Sequence, residues 1–376
     1  MKKILIIFGT RPEAIKVIPV IKQLQKEKKI KPFICVTAQH RDMLDQVLNI
    51  FNIIPDYDLN IMKQNQSLFY VSSTILKKLD NLFNFIKPDL ILVQGDTTTA
   101  FVASLSAFYK KIPVGHIEAG LRTYDKYNPF PEEINRVFID KISDLLFVPT
   151  LLSKKNLLKE GIDPQKIFLT GNTVIDTLFL ILKNKIGFKN KNLEKLVDDI
   201  IKEKQKIILV TAHRRENFGE PIRNICYALQ KIINYTKDIH IIYPVHPNPE
   251  IMCPVKEILG KIDRIHLINP LEYIDFVNLM NKSYIILTDS GGLQEEAPSL
   301  GKPVIVLREK TERPEGIKAK TVKIVGTKPE KIFQQTLNLL KNKREYFKMS
   351  KKINPYGDGK AGERIVKIIK RRFQYA

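Results

Sequence analysis

The chain has 376 residues, 44% hydrophobic and 27% charged, with a formal charge of +22 at pH 7. At roughly 150 residues per domain that length implies two cores, and with no run near the ~20 apolar residues of a membrane span and too short an apolar stretch at residues 4–8 for a signal sequence, a cytoplasmic protein without membrane insertion is expected. The lysines are dispersed (Lys22, Lys26, Lys28, Lys29; Lys154, Lys155, Lys159), which speaks against a nucleic-acid partner, and Cys35, Cys226 and Cys253, odd in number, far apart and without CxxC spacing, argue against a disulfide framework and a zinc site.

In chain order, residues 4–8 read as a buried strand because the apolar run is continuous. Gly9-Thr10-Arg11-Pro12-Glu13 then turns into a helix: Thr10 and Glu13 have capping-box spacing, and Ile15, Ile18, Ile21 and Leu24 share a face. Arg11 and Lys16 put positive charge at that helix start, where backbone N–H groups already point, so an anion suits the place. The dinucleotide fingerprint GxGxxG fails because Arg11 stands at its second glycine, which disfavours a nicotinamide cofactor. Further strands at 33–37, 90–94, 114–118 and 145–149 alternate with helical patterns at 67–85 and 99–109, the rhythm of a doubly wound parallel sheet.

Ligand groups in such sheets gather at the C-terminal ends of strands. Those ends carry Gly9-Thr10-Arg11, Gln39-His40-Arg41, Gly95-Asp96-Thr97 and His116-Ile117-Glu118. The loop after Glu118 holds two prolines and leads to Glu132-Glu133 at a helix start, a segment suited to closing on a ligand. Asp96, Glu118 and Glu132 thus offer three carboxylates for proton transfer, although spacing alone does not bring them together, and an acid after a strand also serves as a helix N-cap.

The rhythm restarts near Gly171, with strands at 207–210, 240–245, 265–268, 283–287, 304–307 and 322–325. The expected division is 1–170 for an N-terminal Rossmann-like domain, 171–355 for a C-terminal one, and 356–376 for a helix packing back on the first. His213 follows a strand beside Arg214 and Arg215, placed to offset anionic charge or move a proton. Asp289-Ser290-Gly291-Gly292 opens a short helix between two apolar runs; its unpaired N–H groups and missing Cβ atoms suit a diphosphate, and Glu296 follows at a distance that suits ribose hydroxyls. An ordinary strand-to-helix turn with Ser290 as N-cap fits the same local pattern.

Taken together, GTRPEAIK, TAQHRDMLDQVL, GDTTTA, HIEAGLRT, PEEINR, GNTVIDTL, TAHRRENFG, YPVHPNP, TDSGGLQEEAPSLGKPV and NPYGDG resemble the non-hydrolysing UDP-N-acetylglucosamine 2-epimerase family over nearly the whole chain. The resemblance implies an α/β, GT-B type architecture of two Rossmann-like domains facing each other across a cleft. It also implies a homodimer, no cofactor or metal, and reversible conversion of UDP-N-acetylglucosamine to UDP-N-acetylmannosamine for envelope polysaccharides. Carried onto this sequence, it makes Arg11, Lys16, Asp96, Glu118, Glu132 and His213 substrate-contacting or catalytic. It assigns Ser290, Gly291 and Gly292 to phosphate, Glu296 to ribose, Phe276 and the backbone near Leu271 to uracil, and Arg313 to a further polar contact. Gln39 and His40 match a regulatory UDP-N-acetylglucosamine site found in many bacterial members, but Asp42 and Asn65 depart from it. A GT-B glycosyltransferase using a UDP-sugar donor stays open as the alternative.

Overall fold

A computed structural model describes every residue except 39, 40, 64, 65, 312, 352, 353, 375 and 376, and of residues 41–43 the backbone alone. It comprises two compact units, Met1–Thr177 with Tyr356–Ala376, and Leu178–Pro355.

The first unit carries seven parallel strands in the order β3-β2-β1-β4-β5-β6-β7: β1 (Lys2–Phe8), β2 (Ile30–Val36), β3 (Tyr57–Asp58), β4 (Leu90–Gln94), β5 (Val114–Ile117), β6 (Leu145–Val148) and β7 (Ile167–Leu169). Its helices are α1 (Arg11–Leu24), α2 (Arg41–Ile50), α3 (Leu68–Ile86), α4 (Thr98–Tyr109), α5 (Glu132–Ile142) and α6 (Leu151–Lys159), then α7 (Thr173–Lys183), within which the division between the units falls. Ile4, Leu5, Ile6 and Ile7 are all fully buried, as a parallel strand covered on both faces requires. Truncating one of them to alanine would cost roughly 2–5 kcal/mol. The strands β3 and β7, two and three residues long, are too short to leave a periodic signal in the sequence.

Helix α1 shows how local chemistry fixes the packing. Glu13 accepts from the backbone N–H of Gly9 (3.0 Å) and Thr10 (2.8 Å), closing the expected capping box. Pro19, inside the helix, has no N–H for the carbonyl of Ile15 four residues back. That carbonyl instead accepts the hydroxyl of Thr177 at 2.5 Å. The final helix of the chain, residues 361–374, packs on the same stretch: a Cβ at Gly362 would lie 3.1 Å from Pro19. Asp176 receives the first N–H groups of that helix, from Ala361 (3.1 Å) and Gly362 (2.8 Å).

The second unit holds α8 (Lys191–Lys202) and a six-stranded parallel sheet in the order β10-β9-β8-β11-β12-β13: β8 (Lys206–Thr211), β9 (Ile239–Pro244), β10 (Ile265–Ile268), β11 (Ile285–Thr288), β12 (Val304–Val306) and β13 (Val322–Ile324). Its other helices are α9 (Glu220–Tyr235), α10 (Pro249–Leu259), α11 (Tyr273–Lys282), α12 (Gly291–Glu296), α13 (Pro314–Lys318), α14 (Pro329–Lys341) and α15 (Lys343–Met349); residues 361–374 are α16 (Ala361–Gln374). Ile225, Leu229 and Ile232 on α9 pack with Ile208, Val210 and Ile241 of the sheet in one core.

Each sheet reverses its strand order at one place, between β1 and β4 in the first unit and between β8 and β11 in the second. A crevice opens at the carboxyl ends of strands at such a switch point, where no connection crosses over. The residues that matter are therefore those after Phe8 and Gln94, and those after Thr211 and Thr288. Among the described residues no helix is long and apolar enough to cross a membrane.

Candidate active site

In the first unit the three loops after β1, β4 and β5 are held by carboxylates. Buried Glu13, besides capping α1, accepts the hydroxyls of Thr10 (2.8 Å) and Thr97 (2.7 Å), which ties the β1 loop to the β4 loop. Burial pushes the Glu13 pKa up despite those four donors. Glu118 directly follows β5 with a φ of +72°, a backbone conformation that a non-glycine residue adopts only when its surroundings hold it there. Its carboxylate is nearly buried and ringed by donors: Lys16 Nζ at 2.5 Å and Gln94 Nε2 at 2.6 Å on Oε2, and Asn172 Nδ2 at 2.9 Å on Oε1. A Cβ on Gly95 would sit 3.8 Å from that same Oε2, so the residue before Asp96 lies against Glu118.

Asp96 pairs through Oδ2 with Arg136 at 2.5 Å, and its carbonyl accepts Asn135 Nδ2 at 2.9 Å. Both partners lie on α5, which begins at half-buried Glu132, so Asp96 and Glu132 are linked through one rigid element. Glu132 has no ion-pair partner among the described residues. Its neighbour Glu133 is buried and accepts the backbone N–H of Thr123 (3.0 Å) and Tyr124 (2.8 Å), so of the two adjacent acids this one anchors the preceding loop. Arg11 is half-buried at the first position of α1. Gln39 and His40 lie outside the described residues.

In the second unit the β8 and β11 loops are joined by one acid that the sequence reading did not single out. Asp289 Oδ2 accepts from the backbone N–H of His213 (2.7 Å) and Arg214 (2.8 Å) and from Asn217 Nδ2 (2.9 Å), while its buried Oδ1 faces His213 Nδ1 at 3.5 Å. The hydroxyls of Thr211 and Thr288, paired in register across β8 and β11, lie 2.6 Å apart beneath it. Burial lowers the His213 pKa, opposed by the Asp289 charge and reinforced by Arg214 and by His246, whose ring lies 5.9 Å away. The imidazole is therefore largely neutral at pH 7, and a bound anion would draw it back toward its charged form.

Ser290 occupies the N-cap position of α12 without a side-chain capping bond, which leaves its hydroxyl available, and the helix runs on into a 3-10 turn at Ala297–Leu300. The first N–H groups of this helix have no partner four residues back. A Cβ at Gly292 would lie 3.6 Å from Glu296 Oε1, so Glu296 stands beside the glycines, and its Oε2 accepts the Tyr273 hydroxyl at 2.8 Å. Phe276 is one turn after Tyr273 on α11, and Leu271 just precedes that helix; both are half-buried. Arg313 pairs with Glu295. Among the described residues no group of three or more His, Cys, Asp or Glu side chains is arranged to hold a metal ion.

Two parallel doubly wound sheets with polar groups concentrated at both switch points define a two-unit α/β protein of the GT-B type. The family model described as UDP-N-acetylglucosamine 2-epimerase matches residues 22–370, and the chain belongs to that family. A UDP-N-acetylglucosamine 2-epimerase of Campylobacter jejuni is 53% identical over 373 residues, covering 98% of this chain and 97% of its own. One from Bacillus subtilis is 52% identical, with 99% and 96% covered. The crystal structure of the Neisseria meningitidis UDP-GlcNAc 2-epimerase bound to UDP-GlcNAc superposes with a TM-score of 0.88 at 50% identity, covering 98% of this chain and 100% of that one.

Proposed function

We propose that this protein interconverts UDP-N-acetylglucosamine and UDP-N-acetylmannosamine by inverting C2 of the sugar. The observation that carries the reading is the family match over nearly the whole chain, which favours epimerisation over glycosyl transfer. The second unit is assigned the nucleotide: Ser290, Gly291 and Gly292 take phosphate, Glu296 the ribose, Phe276 and the Leu271 backbone the uracil, and Arg313 a further polar contact. The first unit is assigned the chemistry, through Asp96, Glu118 and Glu132.

The C2 proton is next to no carbonyl, so a free carbanion is out of reach: either C3 or C4 is first oxidised by a nicotinamide, which the failed dinucleotide fingerprint disfavours, or proton loss is coupled to departure of UDP, the route proposed. A carboxylate takes the proton, the C2–H electron pair becomes the C1=C2 bond of a 2-acetamidoglucal, and the C1–O pair leaves with UDP. Return of a proton to the opposite face of C2, with UDP re-adding at C1, gives the epimer. The two steps need an acid and a base on opposite faces, and positive groups or hydrogen-bond donors for the departing diphosphate, for which Arg11, Lys16 and His213 are the candidates. A cytoplasmic homodimer feeding envelope or capsule polysaccharide synthesis fits this substrate. Exposed Phe108 on α4 and Phe138 on the adjoining α5 offer apolar surface for a second copy.

Incubation of the purified protein with UDP-N-acetylglucosamine in deuterium oxide is the test. Formation of the C2 epimer carrying solvent deuterium at C2 is expected. No turnover until an acceptor is added would replace this reading with glycosyl transfer, and release of free N-acetylmannosamine would make the protein a hydrolase.

A further inference from the structure

We propose that His116 and Asp140 form a positioning pair that sets Asp96, Glu118 and Glu132 relative to one another. What those acids do rests on the epimerase reading; the geometric claim stands apart from it. His116 lies in β5, two residues before Glu118, and is fully buried. Its Nε2 is 2.8 Å from the carbonyl of Gly95, the residue before Asp96, and because a carbonyl only accepts, Nε2 carries the hydrogen. Its Nδ1 is 2.7 Å from Asp140 Oδ1, on the helix that begins at Glu132.

Asp140 then closes the circuit. Its Oδ2 accepts the backbone N–H of Gly120, two residues after Glu118, at 3.2 Å, and meets the Arg122 guanidinium at 2.7 Å. Arg122 is itself held by both oxygens of Glu160, at 2.7 and 2.8 Å. Gly120 admits no side chain here, since its φ is +82° and a Cβ would come 2.4 Å from the Ser153 carbonyl, so this turn packs directly on the backbone of α6. One buried pair therefore touches the backbone beside Asp96, the backbone beside Glu118 and the helix that bears Glu132. A buried polar pair is often no more stabilising than apolar residues of the same volume, and the best-attested reason to keep one is that it enforces a single register. The left-handed backbone of Glu118, strained for a glutamate, needs such enforcement.

The test compares His116→Ala, His116→Gln and Asp140→Asn with the wild type, each rate corrected for the fraction folded measured by urea unfolding. Displacing acids by about 1 Å costs on the order of 100-fold in rate, so His116→Ala is expected to lose ~10- to 100-fold in kcat. KM for UDP-N-acetylglucosamine and Kd for UDP should stay within ~3-fold, because nucleotide binding is assigned elsewhere. His116→Gln, which keeps a donor for the Gly95 carbonyl, should recover part of the loss. A kcat per folded molecule within ~3-fold of wild type, or a parallel loss of UDP affinity, overturns the proposal. If His116→Ala does not fold, Asp140→Asn decides on the same criteria. Wild-type failure in the deuterium assay discards the epimerase reading alone; crystal structures of the variants then decide, displaced Asp96 and Glu118 carboxylates supporting the pair and unmoved ones overturning it.

Discussion

The strand-end loops of both units are secured by buried carboxylates, but they present different groups. In the first unit, side-chain carboxylates hold everything: Glu13 joins the β1 and β4 loops, Glu118 gathers Lys16, Gln94 and Asn172, and Asp140 joins His116 to Gly120. In the second, Asp289 fixes the β8 loop and the β11 loop presents main chain, with Ser290, Gly291 and Gly292 at the start of α12. A carboxylate can take up and return a proton, whereas backbone N–H groups only bind. On the proposed reading the first unit supplies the proton-transfer groups, with Arg11 and Lys16 as cations for the diphosphate, and the second holds the phosphate; that division is open to direct attack.

The largest effect is expected from Glu118→Gln. The amide keeps the shape and one acceptor but cannot take a proton, so kcat should fall by roughly 100- to 10,000-fold while UDP affinity holds. Steady-state turnover with isothermal titration of UDP checks both halves. A variant that turns over normally would remove Glu118 from the chemistry. The converse change, Gly292→Asp, puts a carboxylate at the proposed phosphate position, where a Cβ has room, its nearest contacts being Glu296 Oε1 at 3.6 Å and Ser290 Oγ at 3.9 Å; urea unfolding checks that the variant folds beside the Glu296 charge. UDP affinity should weaken by about 10-fold or more, the scale of one charge contact turned from favourable to unfavourable. Unchanged titration by UDP would put the nucleotide somewhere else.

The part of this contrast that is legible in the sequence is the part set by short-range chemistry. The capping box of Thr10 and Glu13, the continuous apolar runs of β1 and β8, and the Ser-Gly-Gly turn depend on neighbours within a few positions, and the strand-end location of Asp96, Glu118 and His213 follows from β/α alternation. The pairings that finish the site do not. Glu118 meets Asn172, His116 meets Asp140, and Asp289 meets the backbone of His213, because sheet order and crossovers bring those strand ends together, and periodicity carries no information about order. The same limit applies to Glu132 and Glu133: adjacent and chemically identical, they are told apart by their surroundings, Glu133 being buried against the backbone of Thr123 and Tyr124 and beside Arg136.

The two units should also answer pH in opposite senses. Burial raises Asp176 from 3.8 to about 6, against the N–H groups of Gly362 and Ala361 that it accepts. A carboxyl with a raised folded pKa contributes stability that is complete below the unfolded pKa and lost as pH rises through the folded one. The first unit therefore gives up about 3 kcal/mol between pH 4 and pH 7 from this group, on the scale of 1.36 kcal/mol per pKa unit. Asp176→Asn, which still accepts one of the two N–H groups, should flatten that slope. Urea unfolding at pH 4.5 and 7.5 measures it, and equal slopes in variant and wild type would show that Asp176 titrates normally.

The smallest effect belongs to the histidine pair in the second unit. His240 Nδ1 and His266 Nε2 lie 2.8 Å apart on β9 and β10, the ring planes differing by 5° in orientation. A hydrogen bond between two ring nitrogens needs one of them to be an acceptor, so the pair survives one proton but not full protonation of both rings. Burial, then the neighbouring His266 and Arg264, lower His240 from 6.5 to about 4, and burial lowers His266. For a base the sign reverses: this stability is complete above the unfolded pKa of about 6.5 and is lost as pH falls through about 4. Acid thus loosens the second unit in the window where it tightens the first. Both rings are partly exposed, so water screens the interaction and the effect should stay below that of Asp176. His240→Gln is expected to make the second unit less sensitive to acid, followed by hydrogen exchange of β9 and β10 amides at pH 5 and 7. Identical pH dependence in variant and wild type, or an NMR titration of His240 near 6.5, would dissolve the opposition between the units and leave both to respond alike.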